Sequence, residues 1–324
     1  MARNWNDLPN EMKFMIVDRM DIVTRTKLKM CSKSDRCIVE SVPMHVEEFT
    51  ALYITPGESA PIARFQNEPF LISPTRLLQI ESFCLKEIDE GKFEKTIDGK
   101  SHPFELPKRL RKYRGKHLFK KFVGNLLLRR NLHIDWFRTE TDFPSKLSNT
   151  TINAKNAFFG GKSEEVMKWI KVLSPKTKNI MFDHCDEGVL EGIGLIPVII
   201  NTERLDIYRK NDITDEQLMT FKCTKGWIND SKITRNGAMQ FIQKIASSDY
   251  PLDTKIKLSI EESEIDEELD EIDEETRLCL PMNSEKEVVY FYQPGIYLFA
   301  ICVQKAGEPE KTYDQLFGYA QLHE

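Results

Sequence analysis

Trp5-Asn6-Asp7-Leu8-Pro9-Asn10-Glu11, then an apolar series at helical spacing, then Arg25-Thr26-Lys27-Leu28-Lys29-Met30-Cys31-Ser32, is the stretch from which the organisation of this chain is read. Asp7 has the side chain of a helix cap. Pro9 suits a first turn, where a missing N–H costs nothing, and Glu11 suits the positive end of the helix dipole. Met12, Met15, Ile16 and Met20 then recur at three- and four-residue steps, interrupted by Lys13, Asp18, Arg19 and Asp21, which predicts one apolar helix face. A second short helix is expected to carry Arg25, Leu28 and Cys31. Ser32 or Ser34 is expected to cap a third that carries Cys37, Ile38 and Val39. Helices this short cannot bury every apolar side chain among themselves, so part of the surface should seek a partner.

Leu8-Pro9-x-Glu11, the apolar helix, the basic-Leu step and the Ser-initiated helix together resemble an F-box over about residues 4–42. The Trp5 lead-in, Met20-Asp21 and the 25–32 stretch look most like the nematode F-box families. The resemblance implies a module that binds a Skp-type adaptor and thereby joins a cullin-RING ubiquitin ligase, while the region after it selects the protein to be ubiquitinated. By position, Leu8, Pro9, Met12, Ile16, Met20, Leu28 and Cys31 would face the adaptor or set the shape of that face. Cys31 is smaller than the branched apolar residue such domains often carry before the Ser. The same periodicity also fits an N-terminal helical cap packed on a downstream domain.

At 324 residues the chain can build a sizeable core in one or two domains, and two are expected: the F-box over 1–45 and a larger region over 46–324. No apolar run approaches the ~20 residues that span a bilayer, and Met1-Ala2-Arg3-Asn4-Trp5 lacks the apolar centre of a signal peptide. An intracellular protein, cytoplasmic or nuclear, is expected. The seven cysteines, 31, 37, 84, 185, 223, 279 and 302, contain no C-x-x-C pair, which argues against a disulfide framework or a zinc site. Residues 261–275 hold 11 of the 51 acids and no base, so the rest of the chain has 40 acids against 46 bases. Residues 106–130, by contrast, hold ten bases and no acid.

Along the chain, 46–54 reads as a strand stopped by Thr55-Pro56-Gly57. Ser73-Pro74 reads as the start of a helix over 73–91 with Leu77, Leu78, Phe83, Cys84, Leu85 and Ile88 on its apolar side; 92–116 reads as a loop and 116–130 as a further helix. From 132 onward strand candidates at 133–137, 154–159, 179–182, 204–208, 225–229 and 254–260 alternate with helical returns at 163–173, 215–221 and 235–246. Their spacing resembles leucine-rich-type repeats, each giving a strand and a return. Thr214 and Ser231-Lys232-Ile233-Thr234 are helix-start signals. Residues 287–292 and 296–304 around Gln293-Pro294-Gly295 read as a closing β-hairpin. The order of these segments resembles the F-box-associated regions of the nematode families. The expected fold class is thus mixed α+β and α/β, a three-helix F-box followed by a leucine-rich-repeat-like domain with a C-terminal hairpin.

Candidate chemistry is sparse. Asp183-His184-Cys185 offers a thiol, a base and a carboxylate, but neighbours on a strand point to opposite faces and make a poor triad. The six histidines lack metal-ligand spacing, and the acidic tract lacks the fixed oxygens and bend Gly of a calcium loop. Gly160-Gly161-Lys162-Ser163 ends like a P-loop, yet position 156 is Asn where the motif needs Gly, so Ser163 is expected only to cap a helix. The 106–130 bases, with Tyr113 and Phe119, fit a solvated helix face or a nucleic-acid contact. The acidic tract fits a flexible solvated insertion or a site for a basic partner. The reading is a non-catalytic substrate receptor of an SCF-type ligase, needing no cofactor or metal, with a Skp-type adaptor, through it cullin, and an unidentified protein target as partners. A non-ligase interaction scaffold and a nucleic-acid-associated protein are the alternatives.

Overall fold

The computed structural model describes residues 4–20, 22–54, 75–80, 83–89, 92–97, 100–104, 115–128, 132–182, 188–229, 231–260, 276–293, 296–309 and 311–317. The fold divides into two units, Met1–Ala157 with Val172–Ser174 and Phe158–Lys171 with Pro175–Glu324. Asp183-His184-Cys185, the acidic tract and most of the 106–130 bases lie outside the described residues.

In the first unit a 3-10 turn (Trp5–Asp7) leads into α1 (Asn10–Asp18), α2 (Ile22–Lys29) and α3 (Lys33–Ser41). The chain continues through β1 (Met44–Ile54), β2 (Thr75–Ile80), β3 (Phe83–Asp89), β4 (Lys92–Ile97), β5 (Lys100–Phe104), α4 (Gly115–Leu127), β6 (Leu132–Thr139) and β7 (Asn153–Phe159). The strand order is β7-β6-β1-β2-β3-β4-β5. β1 runs parallel to β6, from Met44 opposite Leu132 to Ala51 opposite Thr139, and α4 lies in the crossover that a parallel pair requires. Phe49 and Phe137, opposite each other, are fully buried with their rings 5.7 Å apart.

Two expectations are overturned here. Residues 75–80 and 83–89 are strands, not the helix expected over 73–91, and 92–97 and 100–104 are strands, not loop. The apolar residues of this segment come in adjacent runs that fit either period. What decides is the long-range pairing of β2 on β1, Phe49 opposite Ile80, which launches an antiparallel meander through β5.

The second unit contains α5 (Ser163–Ile170), β8 (Asn179–Phe182), α6 (Pro197–Asn201), β9 (Arg204–Ile207), α7 (Asp215–Leu218), β10 (Lys225–Ile228), α8 (Arg235–Ala246), β11 (Lys255–Ser259), β12 (Thr276–Pro281), β13 (Lys286–Gln293), β14 (Leu298–Lys305) and α9 (Tyr313–Phe317). β8, β9, β10 and β11 are parallel neighbours; β14, β13 and β12 continue the sheet antiparallel. The hairpin β13–β14 stands where the turn signal placed it. β12, α6 and α9 carried no signal that sequence reasoning used.

Successive turns of this unit repeat one piece of chemistry. After β9, Asn211 accepts from the Ile213 N–H (3.2 Å) and donates to the Asn229 carbonyl of the next turn (2.6 Å). After β10, Ser231 accepts from the Ile233 N–H (3.4 Å) and donates to the Ser259 carbonyl (3.1 Å). Both side chains are buried and spend their polar groups on backbone N–H and carbonyl groups. Thr214 then caps α7 and Thr234 caps α8. Gly226 is needed where it stands: its φ is +147°, and a Cβ there would lie 1.9 Å from the Leu205 carbonyl oxygen.

Ser163 is a correction. Lys162 occupies the cap position of α5, and Ser163 is its first helical residue with a buried hydroxyl that has no hydrogen-bond partner. Its Oγ is closely approached by Gly188, where an added Cβ would sit 2.6 Å away.

Candidate docking surface

The N-terminal helices are tied by three polar anchors. Trp5 Nε1 donates to Asp35 Oδ1 at 2.7 Å, and Ser32 Oγ donates to Asp35 Oδ2 at 2.7 Å while accepting from the Asp35 N–H at 3.0 Å as the cap of α3. These bonds to the ionised form, from Trp5 first and Ser32 second, hold the Asp35 carboxyl below its ordinary range, against the opposing effect of burial. Lys13 lies with its ammonium 5.7 Å from the centre of the Trp5 ring.

Arg25 is the third anchor. It is buried, and its guanidinium donates to four carbonyls: Met20 (3.1 Å), Asp18 (3.0 Å), Val42 (3.3 Å) and Pro43 (2.8 Å). One planar fork therefore closes the carbonyl ends of α1 and α3 together, work a single ammonium could not do. Between these anchors Val17, Ile38, Val39 and Val42 form an apolar core, with Trp5, Met20 and Leu28 packed against it.

This packing uses one side of α1, Lys13 and Val17, and leaves the other bare. Met12, Met15 and Ile16, at i, i+3 and i+4, are exposed, Met15 by 63%. Phe14 of the same helix is also exposed, and Met30, in the turn between α2 and α3, is exposed by 79%. Five large apolar side chains on so small a body are more than a solvated surface needs.

Of the residues singled out by sequence, Met12 and Ile16 lie on the bare side of α1, Leu8 is half-buried and Pro9 exposed at its start. Met20 and Leu28 turn inward onto the core. Cys31 lies beyond the end of α2, in the turn, with its thiol exposed and donating to the Lys27 carbonyl. Asp7 does not cap α1: its carboxylate accepts from the Asn4 N–H (3.2 Å) within the preceding 3-10 turn, and Pro9 takes the cap position. Phe14 and Met30, also exposed, were not among the residues that the sequence singled out. Arg25 was placed on its helix but not in its role, which depends on carbonyls seven residues before it and 17 and 18 after it.

The F-box domain model matches residues 5–47, from the 3-10 turn into the first part of β1. None of the curated proteins matches the chain.

Proposed function

We propose that this chain, with an F-box domain at its N-terminus, is a substrate-recognition subunit of an SCF-type cullin-RING ubiquitin ligase. F-box domains bind Skp-type adaptors in SCF complexes. The observation that carries the proposal here is the bare face of α1, Met12, Met15 and Ile16, standing on a body whose interior is already filled by Val17, Ile38, Val39 and Val42. Burying an exposed Met or Ile is worth roughly 1.5–3 kcal/mol per side chain, enough for three or four of them to anchor a helical partner.

In this reading the chain performs no bond chemistry. It raises the effective concentration of a target's lysines beside the ubiquitin-loaded enzyme. Among the described residues of the second unit, the buried Cys223 and Cys302 suit no nucleophilic role at neutral pH: burial pushes the Cys223 thiol up to about 12 and raises that of Cys302. We read the region from residue 46 onward as the part that selects the target. The parallel strands β8 to β11, their helical returns and the shared roles of Asn211 and Ser231 support a repeat-like construction of the kind found after F-boxes, and the nematode-type resemblance belongs to the same proposal.

The test is a pull-down of purified full chain with a Skp-type adaptor, comparing wild type with Met12→Glu/Met15→Glu. Adaptor capture by wild type and its loss in the variant, with an unchanged circular dichroism spectrum, is the expected result. No capture by wild type would sink the proposal; capture without ubiquitination or turnover of any bound protein would make the chain an adaptor-binding scaffold.

A further inference from the structure

We infer that the face of the parallel sheet carrying Trp227 takes hold of a carboxylate-rich peptide segment of the target, an inference that rests on the receptor reading above. The two faces of β8 to β11 differ in kind. On one, Ile180, Leu205, Gly226 and Ile256 stand in register, as do Phe182, Ile207, Ile228 and Leu258, and nearly all are fully buried. On the other, Asn179, Arg204, Lys225 and Lys255 form one row and Met181, Asp206, Trp227 and Lys257 the next. Parallel sheets are ordinarily covered on both faces, so a row of half-exposed and exposed side chains on this one is a surface left for something else.

Within these two rows the charge is one-sided. Four cations face one carboxylate, and that carboxylate, Asp206, is buried and held by Arg204 Nε at 2.6 Å. Arg204 remains 49% exposed at its side chain and Lys225 is exposed. Trp227 stands between them and Lys257: Tyr208 meets it edge-on at 5.5 Å, the Lys257 ammonium lies 5.0 Å from its ring centre, and its Nε1–H has no acceptor. α9 bounds the patch. Lys257 is shared with Tyr313 and Phe317 of that helix, and Lys255 Nζ donates to the Leu316 carbonyl.

Trp, Tyr and Arg with flanking lysines is the composition of a peptide-binding hot spot. Four strands at about 4.8 Å span roughly 15 Å, the reach of a short extended segment with carboxylates for Arg204 and Lys225 and an apolar side chain for Trp227 and Met181. Bases of a nucleic acid need open ring faces to stack on; here one face of Trp227 is taken by Lys257 and an edge contact by Tyr208.

The experiment is fluorescence anisotropy of a short fluorescein-labelled glutamate- and leucine-rich peptide, with its glutamine counterpart, against the full chain and against a version whose eleven acids in 261–275 are replaced by amides, so that competition within the chain registers as a gain. The glutamate peptide is expected to bind at least one of these, the glutamine peptide more weakly, and Arg204→Gln/Lys225→Gln to lower the affinity about tenfold. Failure of both versions to bind, equal binding by the double variant, or tighter binding of a single-stranded oligonucleotide that displaces the peptide would overturn the inference. Adaptor pull-downs on the same samples separate the two readings: peptide loss with adaptor capture intact removes only this inference, and loss of adaptor capture by wild type removes the receptor reading itself.

Discussion

Trp5 Nε1 donates to the Asp35 carboxylate at 2.7 Å, joining the turn before α1 to the first turn of α3 across thirty residues of chain. Because this bond and that from Ser32 favour the ionised form, Asp35 has a lower pKa folded than its ordinary 3.8. Its contribution to stability is therefore complete above that value and is lost as the pH falls below it, through the depressed folded value. Asp35→Asn should cost about 1–2 kcal/mol at neutral pH, with a thermal midpoint that falls less steeply than that of wild type on acidification. Parallel acid profiles for the two proteins would refute the linkage.

Arg25 supplies four donors to carbonyls that close two helices. Arg25→Ala should destabilise the N-terminal body by roughly 3 kcal/mol or more, since four carbonyl acceptors, that of Val42 buried, lose one shared partner together. Arg25→Lys should recover only part, because an ammonium cannot reproduce the fork. Urea unfolding followed by Trp5 fluorescence in a background where the other three tryptophans are Phe would measure both.

Met15, with its side chain largely in water, should behave in the opposite way. Met15→Glu should leave the unfolding midpoint within about 0.5 kcal/mol of wild type while weakening adaptor binding tenfold or more. A variant that loses folding and binding together would mean that this face packs within the chain instead.

Gly226 presses its backbone against Leu205 at a φ of +147°. Gly226→Ala should cost roughly 2–4 kcal/mol in the second unit, the sum of strain and a forced separation of β9 from β10. Adaptor capture should persist, and hydrogen exchange in β9 and β10 should accelerate.

Thiol labelling should divide the described cysteines. Cys31, Cys37 and Cys279 are exposed and should react quickly with iodoacetamide, whereas Cys223 and Cys302 are buried with raised thiol pKa values and should react only on unfolding. Mass spectrometry of labelled peptides resolves each site.

What the sequence determined by itself was whatever a few neighbouring residues can specify. Ser32, Thr214 and Thr234 cap their helices because the acceptor and its N–H lie three residues apart, and β8, β9, β10 and α8 stand within a residue of where alternation and helical period put them. The shared side of Met12, Met15 and Ile16 was legible from spacing too, but not that it stays bare while Met20 of the same series turns onto the core. The tertiary structure decided what depends on distant partners. The 75–104 segment became strands because β1 offered a backbone edge to pair with, which no local period records. Asp7 and Pro9 divided their roles differently because a separate 3-10 turn claimed Asp7. Arg25 became the tie between α1 and α3, and Trp227, Arg204 and Lys257 came into one patch, only when strands some twenty to thirty residues apart in sequence were laid side by side. Capping and period are settled within one turn of chain; strand pairing, buried cations and surface patches are settled by which segments the burial of apolar area brings together.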